Sequence, residues 1–422
     1  MKEATTPEND AQAAVVAAAA GAVGADPAAV SAASAGPASA AHATGVAGAP
    51  SLEVAAAASA ASATGAAASP TGAAGTSNLA GATGPASALE QARVDVARAV
   101  IERIVNNVNR VIQGKHDVVE LVVLALVARG HVLLEDLPGT GKTTLVSTLA
   151  KSVNCGFSRI QFTPDVMPSD VSGFSIYNQR TQDFEFRPGG VMSNLVLADE
   201  INRASAKTQS ALLEAMEERQ VTVDGTTHPL DEPFMVLATQ NPIEQFGTYP
   251  LPEAQLDRFL AQLSMGYPDF NEEVRVLELG DGAKLAVRPV VSSADVLSVR
   301  AAAQEVYASK MIMRYVVEVI TATRDNPEVQ VGSSPRGGIA LLALARSFAL
   351  ARGRGYVLPD DIKSLAPHVL RHRLSLAHEA KVAGRTPDDV IASILAGIAV
   401  PYYDEDEARG LKQAAGDTVF VR

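Results

Sequence analysis

The sequence contains a single cysteine, Cys155, and no tryptophan among its 422 residues. One cysteine cannot form a disulfide bond within the chain or a cysteine-based zinc site, so neither device can stabilise the fold. The lack of disulfides is typical of proteins from a reducing compartment, and we therefore expect a cytoplasmic protein.

Positive charge is also scarce, since the formal net charge is -12 at pH 7. This balance argues against binding of nucleic acid through a broad basic face, although local basic clusters remain possible.

Long uncharged apolar runs are missing as well. The run Val118–Val127 contains Glu120 and is too short to span a bilayer. The alanine-rich residues 11–25 follow three acidic residues, which does not fit a secretion signal. We expect no transmembrane helix.

Large side chains are rare in the first 87 residues, which consist mainly of alanine, glycine, serine, proline and threonine. Such a segment buries too little large apolar surface to offset the entropy lost on ordering it. We therefore predict a disordered tail over residues 1–87. The hydrophobic fraction of 47% counts the alanines of this tail and therefore overstates the apolar core. The folded part is roughly the last 335 residues.

After the tail, the apolar residues follow a helical spacing, because Ile101, Ile104, Val105, Val108 and Ile112 form one stripe. Apolar strand segments then alternate with helical ones: HVLLE, SRIQF, NLVLADE and FMVLATQNP. This alternation predicts an α/β fold with a parallel sheet and helices on both faces.

Two segments that alternate apolar and polar residues, FSIYNQRTQDFEFRPG and QVTVDGTTHPL, predict β-hairpins inserted into this pattern. The second contains the tight-turn pair Asp224-Gly225. Beyond Gly266 the pattern becomes helical, including the apolar stripe of residues 338–352. We predict a core domain over residues 88–266 and a small all-helical domain over residues 267–422.

The stretch LLEDLPGTGKTTL, Leu133–Leu145, contains most of a phosphate-binding loop, although Asp136 stands at the position of its first glycine. Aspartate tolerates left-handed backbone geometry, so we expect the turn to form. In such a loop the backbone amides converge on the phosphates, the lysine reaches the β- and γ-phosphates, and the Thr143 hydroxyl ligates magnesium. The predicted nucleotide cradle comprises Pro138, Gly139, Thr140, Gly141, Lys142, Thr143 and Thr144.

Two further apolar strands end in polar side chains, and the carboxyl ends of parallel strands form the site of α/β proteins. LVLADE ends in Asp199, a candidate magnesium ligand, and Glu200, a candidate for orienting or deprotonating the attacking water. VLATQNP ends in Gln240 and Asn241, whose neutral amides can hold both water and a γ-phosphate.

With these elements in order, the chain resembles an AAA+ ATPase and, more specifically, the MoxR family. The resemblance runs from about Gln113 to Arg346. It is carried by QFTPDVMPSDVSG, EFRPG, LVLADEINRASAKTQSALLEAMEERQVTVDG, VLATQNPIEQFGTYPLPEAQLDRF and SPRGG. It implies an AAA+ P-loop core with a helical lid. In this family an acidic residue at the Asp136 position is ordinary, which implies a working loop.

The resemblance also implies roles for single residues. Asn241 matches sensor 1, Arg336 matches sensor 2 on the lid, and Arg258 in EAQLDRF matches the arginine finger, which acts on a neighbour's site. Arg203 is a second candidate for action across the interface. Gln113 and Gly114 resemble the segment beside the adenine.

The function implied by this resemblance is hydrolysis of ATP with Mg²⁺ in an oligomeric ring, expected to be a hexamer, which remodels, assembles or matures partner proteins. Relatives often work with proteins that carry a von Willebrand factor A domain. Three rivals remain open: the motor subunit of a metal chelatase, a nucleic-acid motor supported by the basic cluster of residues 370–381, and a nucleotide-gated scaffold with little turnover.

Overall fold

The computed structural model of the chain describes residues 90–136, 139–241, 248–279 and 287–401. The predicted tail lies outside the described residues. The strands in these segments are β1 (Val132–Glu135), β2 (Phe157–Gln161), β3 (Gly173–Asn178), β4 (Asp183–Pro188), β5 (Leu195–Asp199), β6 (Gln220–Val223), β7 (Thr226–Pro229), β8 (Met235–Gln240), β9 (Ala261–Leu263), β10 (Val329–Val331) and β11 (Ser375–Leu376).

The helices of the same segments begin with α1 (Gln91–Asn109), α2 (His116–Val127), α3 (Lys142–Val153), α4 (Pro168–Ser172), α5 (Ala206–Glu218) and α6 (Glu253–Leu256). They continue with α7 (Phe270–Leu279), α8 (Ser293–Glu305), α9 (Lys310–Asp325), α10 (Pro335–Ala351), α11 (Pro359–Leu370), α12 (His378–Val382) and α13 (Pro387–Gly397). Short 3₁₀ turns cover Ile201–Arg203 and Arg371–Arg373.

The central sheet of the described chain has the strand order β2-β5-β8-β1-β9, and every neighbouring pair is parallel. Glu135 at the end of β1 lies opposite Gln240, and Gln161 at the end of β2 lies opposite Asp199. The carboxyl ends of these strands therefore meet along one edge. The predicted parallel sheet is confirmed.

Both faces of this sheet are buried, and successive residues of each strand point into different cores. In β1, Val132 and Leu134 pack with the core that includes α1, α2 and α3, whereas Leu133 packs with the core that includes α5. This alternation follows from the two-residue period of a strand. All five residues of the predicted stripe are buried, and four of them lie in α1, which confirms that helix, whereas Ile112 lies just beyond its end.

The two predicted hairpins are present. β3 pairs with β4 and β6 with β7, both antiparallel. Asp224 and Gly225 form the β6–β7 turn with φ of 51° and 81°, values that a two-residue hairpin turn requires. The hairpins touch each other where Phe186 stacks on His228, with ring centroids 3.8 Å apart.

The region after Gly266 is helical, as predicted, except for the antiparallel pair β10–β11. The sequence pattern does not indicate this pair because strands of three and two residues are too short to show an alternation. The N-terminal helix α1 packs against α8 and α10 of this region. The domain boundary at residue 266 stays a prediction. None of the described helices combines the length and the apolar character needed to cross a bilayer.

Candidate functional site

A cavity of about 360 Å³ opens at the carboxyl edge of the central sheet. It brings together residues from the loop after β1 and from the ends of β2, β5 and β8. Its lining comprises Asp136, Gly139, Gly141, Lys142, Thr143, Thr144, Arg159, Gln161, Asp199, Glu200, Thr239, Gln240 and Asn241.

The phosphate-binding loop leads directly into α3, which begins at Lys142. Gly139 and Gly141 have φ of 84° and 88°, in the region that favours glycine, and no heavy atom lies within 4 Å of where a Cβ would stand. α3 begins directly after this loop and beside the cavity, and the start of a helix suits an anionic group. Thr140 lies in this loop but not in the cavity lining, and Pro138 lies outside the described residues.

Asp136 has a structural role in place of the missing glycine. Its buried carboxylate accepts hydrogen bonds from the backbone amides of Met265 at 2.6 Å and Gly266 at 3.0 Å, and from the Ser264 hydroxyl at 3.3 Å. Asp136 is not among the described residues with positive φ, so its tolerance of left-handed geometry is not what the start of the loop uses. The side chain anchors the start of the loop to the segment after β9.

The two acids at the end of β5 are joined through one hydroxyl on β8. The Thr239 hydroxyl donates to Asp199 Oδ1 at 2.7 Å and accepts from the backbone amide of Glu200 at 2.8 Å. Glu200, directly after β5, adopts φ of 58°, which lies in the left-handed region. Thr239 therefore fixes the relative position of Asp199 and Glu200.

Two side chains of β2 complete the cluster, and the site motifs of the sequence did not point to them. Arg159 Nη2 donates to Asp199 Oδ2 at 2.6 Å, and Gln161 Nε2 donates to Glu200 Oε2 at 3.0 Å. Residues i and i+2 of a strand share a face, so SRIQF places both at the same edge. The only signal in the sequence was this polar alternation at the carboxyl end of a predicted strand.

The donor set of the cavity suits magnesium bound together with a nucleotide. No group of three or more histidine, cysteine, aspartate or glutamate residues able to hold a metal occurs in the described part of the chain. The cavity instead offers the Thr143 hydroxyl and the Asp199 carboxylate. Mg²⁺ keeps several waters and takes one or two carboxylates plus phosphate oxygens, so two protein ligands fit it.

Of the other predicted site residues, some lie in or beside this cavity and others lie outside its lining. Asn241 lines the cavity, and Arg203 Nε lies 3.2 Å from Glu200 Oε2 of the same chain. Gln113 and Gly114 do not line it. Gln113 Nε2 donates to two carbonyl groups at the end of α1, and the Glu272 carboxylate occupies the space where a Cβ of Gly114 would stand.

Arg258 and Arg336 lie in a second cavity of about 290 Å³ rather than at the phosphate-binding loop. Both pair with one carboxylate, that of Glu217 on α5. Arg258 Nη2 lies 2.9 Å from Glu217 Oε2, and Arg336 Nη2 contacts Glu217 Oε1. The fold therefore brings the two arginines together but keeps them out of the cavity that contains Lys142.

Two central side chains of the basic cluster of residues 370–381 are buried, although Lys381 is exposed. His372 is buried, with Nε2 3.0 Å from the Phe259 carbonyl oxygen, and burial lowers its pKa well below the usual range. Arg373 is buried as well, and its Nε donates to Asp257 Oδ1 at 2.7 Å. These side chains join the region after Gly266 to the core, so they are not available to a phosphate backbone.

Comparisons with known proteins show the family to which the chain belongs. The profile of the ATPase family associated with various cellular activities (AAA) matches residues 131–261, and that of the AAA lid domain matches residues 321–394. The Chaperone MoxR1 of Mycobacterium tuberculosis is 44% identical over 311 residues, which cover 71% of this chain and 82% of that protein.

Two other similar proteins match this chain over nearly their whole length. The YeaC protein of Bacillus subtilis is 54% identical over 304 residues, 72% of this chain and 95% of that protein. A crystal structure of a candidate ATPase from Cytophaga hutchinsonii superposes with a TM-score of 0.70 at 41% identity, covering 74% of this chain and 98% of that one.

Proposed function

Because this chain belongs to the MoxR family of AAA ATPases, we propose that it hydrolyses ATP with Mg²⁺ at the cavity beside Lys142, in a ring that remodels protein partners. The observation that carries this proposal is the convergence of the phosphate-binding loop with Asp199 and Glu200 in one cavity. A lysine, a hydroxyl and two acids at one edge of a parallel sheet are the parts that phosphoryl transfer requires.

In this proposal the amides of Gly139 to Thr143 cradle the phosphates, and Lys142 offsets the charge at their far end. Thr143 and Asp199 hold the metal. Bound magnesium neutralises the negative charge that develops on the phosphate oxygens during transfer. Arg159 is within hydrogen-bonding distance of Asp199, so this ion pair must loosen or shift when Asp199 takes part in metal binding.

Glu200 orients and deprotonates the attacking water. Its side chain is 26% exposed, so a water molecule can reach it. Gln161 and Arg203 hold one of its oxygens, which restricts the rotamers available to the side chain. Asn241 lies in the same cavity. There it can hold the water and the γ-phosphate by hydrogen bonds without adding charge.

Arg258 and Arg336 act on the nucleotide of a neighbouring subunit. Their separation from the chain's own phosphate-binding loop supports this role, because both line a different cavity. An arginine supplied by a partner can accelerate hydrolysis by about 10³- to 10⁵-fold, so turnover would depend on assembly. Arg203 contacts Glu200 of its own chain, which favours Arg258 over Arg203 for action across the interface.

The clients are proteins rather than nucleic acids. The name of the Mycobacterium tuberculosis relative, a chaperone, supports protein clients. Burial of His372 and Arg373 weakens the main sequence support for a nucleic-acid motor. A hexamer and partners with a von Willebrand factor A domain follow from the family resemblance and belong to this proposal. So does a cytoplasmic location, which follows from the single cysteine.

The test compares Glu200→Gln with the wild type in two assays, steady-state phosphate release and binding of ATP with Mg²⁺. The cradle and the metal ligands survive this change, so binding is retained, whereas loss of the general base lowers turnover by about 10²- to 10⁴-fold. Glu214→Gln, an exposed acid on α5, is the matched control. Equal turnover in Glu200→Gln and wild type refutes the role of Glu200. Failure of the assembled wild type to retain ATP refutes the proposed site.

The Glu200→Gln form also provides a means of finding the client. Because it binds ATP without cleaving it, we expect it to hold its partner longer than the wild type does. A pull-down with this variant, compared with Lys142→Ala as a form that cannot bind ATP, would enrich proteins that depend on the ATP state. Equal recovery from both variants would contradict ATP-dependent capture.

A further inference from the structure

Glu217 is the only described side chain that forms ion pairs with both Arg258 and Arg336. One carboxylate oxygen takes Arg258 and the other takes Arg336. Two adjacent guanidinium groups repel each other, and a shared carboxylate between them removes most of that repulsion. The acid therefore stabilises a pair of arginines that would otherwise move apart.

The helix end that carries Glu217 is held in place from several sides. The Met216 carbonyl group lies 3.2 Å from His131 Nε2 at the start of β1. Arg219, which ends α5, donates through Nη2 to the Arg129 carbonyl oxygen at 2.6 Å. Glu217 thus extends from a fixed position of the core, as a residue that positions others must.

The two arginines are also tied to each other through Asp257, the residue before Arg258. Asp257 Oδ2 accepts from the Ser334 hydroxyl at 2.8 Å, and Ser334 is the N-cap of α10, the helix that carries Arg336. Asp257 Oδ1 accepts from Arg373 at 2.7 Å. The backbones of both arginines are therefore fixed close together, and only their side chains need a further anchor.

Pairing with Glu217 leaves most donors of the arginines available. Each guanidinium group carries five N–H donors, and each arginine uses one terminal nitrogen for Glu217. Arg258 Nε is buried and has no hydrogen-bond partner among the described residues. The side chains of Arg258 and Arg336 are 29% and 53% exposed, so the accessible donors of their guanidinium groups can bind an anionic group that enters the second cavity.

From this geometry we propose that Glu217 is a positioning residue that presents Arg258 and Arg336 as one preorganised unit to the terminal phosphate of a nucleotide bound by the neighbouring subunit. This inference rests on the proposed trans action of the two arginines. Donors that are aligned before the reaction stabilise developing charge without a reorganisation cost, which is why the anchor affects turnover.

The first test measures kcat, KM and nucleotide affinity for Glu217→Gln. The variant keeps the size of the side chain but loses its charge, and the matched control is Glu218→Gln, an exposed acid of the same helix. Since misplacing a catalytic group by about 1 Å can cost about 10²-fold, we expect kcat to fall by about 10- to 10²-fold. Nucleotide affinity, ring size and thermal stability should match the wild type.

Glu217→Asp keeps the charge on a shorter side chain and should recover part of kcat. An unchanged kcat in Glu217→Gln overturns the inference. A higher kcat also overturns it, because that result would mean that Glu217 withholds the arginines from the neighbouring site.

The second test mixes inactive subunits and asks which pairs restore hydrolysis. Lys142→Ala mixed with Arg258→Ala regains activity if the arginine acts across the interface, because some interfaces then combine an intact loop with an intact arginine. Glu217→Gln should regain activity with Lys142→Ala but not with Arg258→Ala, since both changes damage the same side of the interface. If Glu217→Gln only damaged the fold of its own subunit, its recovery would not depend in this way on whether the partner carries Lys142→Ala or Arg258→Ala.

The outcomes separate the inference from the function on which it rests. No recovery from Lys142→Ala with Arg258→Ala, despite confirmed mixed assembly, refutes trans action and Glu217 positioning together. Recovery from that mixture, accompanied by equal recovery from Glu217→Gln with Arg258→Ala, refutes the positioning role alone and leaves the trans arginine intact.

Discussion

Replacement of Glu232 by glutamine should destabilise the fold strongly, because this single acid pairs with three arginines. Arg129 Nη2 lies 2.8 Å from Glu232 Oε1 and Arg219 Nη1 lies 3.1 Å from the same oxygen, while Arg300 contacts Oε2. The Arg300 side chain on α8 is only 4% exposed. Glutamine keeps the shape of the side chain but leaves three cations around a neutral group.

The size of the effect follows from the pKa of Glu232. Burial alone would raise it, but the hydrogen bond from Arg129 and the charge of Arg300 lower it from 4.5 to about 2. At 1.36 kcal/mol for each pKa unit, this difference corresponds to about 3 kcal/mol. The side chain is 29% exposed, so solvent screening reduces the expected loss to about 2 kcal/mol.

The loss should depend on pH in a definite direction. A carboxyl group whose pKa is lowered by folding stabilises the native state above its unfolded pKa of 4.5, and this contribution disappears as the pH falls toward about 2. The free energy of unfolding, measured by urea titration, should therefore differ between wild type and Glu232→Gln by about 2 kcal/mol at pH 7 and by less below pH 4.5.

Glu305→Gln is the matched control, because Glu305 forms one exposed ion pair with Arg93 and should give no measurable change. A difference for Glu232→Gln that stays constant between pH 7 and pH 3 would refute the electrostatic origin. Stability equal to that of the wild type at pH 7 would refute the importance of the three-arginine cluster.

Two further predictions concern the buried polar residues on either side of β1, Asp136 and His131. Asp136→Gly, which restores the glycine of the usual loop, should lower the free energy of unfolding by about 1–3 kcal/mol because two backbone amides lose their acceptor; equal or higher stability in urea titration would contradict the anchoring role. Burial, together with the charge of Arg219, lowers the pKa of His131 to about 3. The folded state therefore resists a proton that the unfolded state binds below pH 6.5, and stability falls as the pH drops. His131→Gln removes this dependence, so between pH 6.5 and 5 the wild type should lose up to about 1.4 kcal/mol per pH unit more than the variant. Parallel stability curves for the two proteins over that range would show that His131 does not titrate in this way.

The elements of the fold were predictable where the pattern of the sequence is strong. The apolar strands, the stripe of α1, the two hairpins and the helices beyond Gly266 are all present. Burial on both faces of the sheet and a regular helical period produce these signals in the chain itself. The pair β10–β11 was not predictable, because its few residues show no period.

The candidate site was predictable in part, because strand ends place Asp199, Glu200 and Asn241 at the same edge as the loop. Arg159 and Gln161 were missed, since nothing in SRIQF distinguishes a site residue from a solvent-exposed one before the pairing of β2 with β5 is known. The roles of Arg258, Arg336, Gln113 and Gly114 remain predictions.

The sequence by itself determined the local chemistry of this protein: a loop that exposes backbone amides, acids at the end of an apolar strand, and a second region built from helices. These features depend on residues that are neighbours in the chain. Only the tertiary structure decided that Asp136 anchors the loop through its side chain and that Arg258 and Arg336 share Glu217 away from Lys142. Those contacts join residues far apart in the chain, and only the packing of the helices against the sheet brings them together.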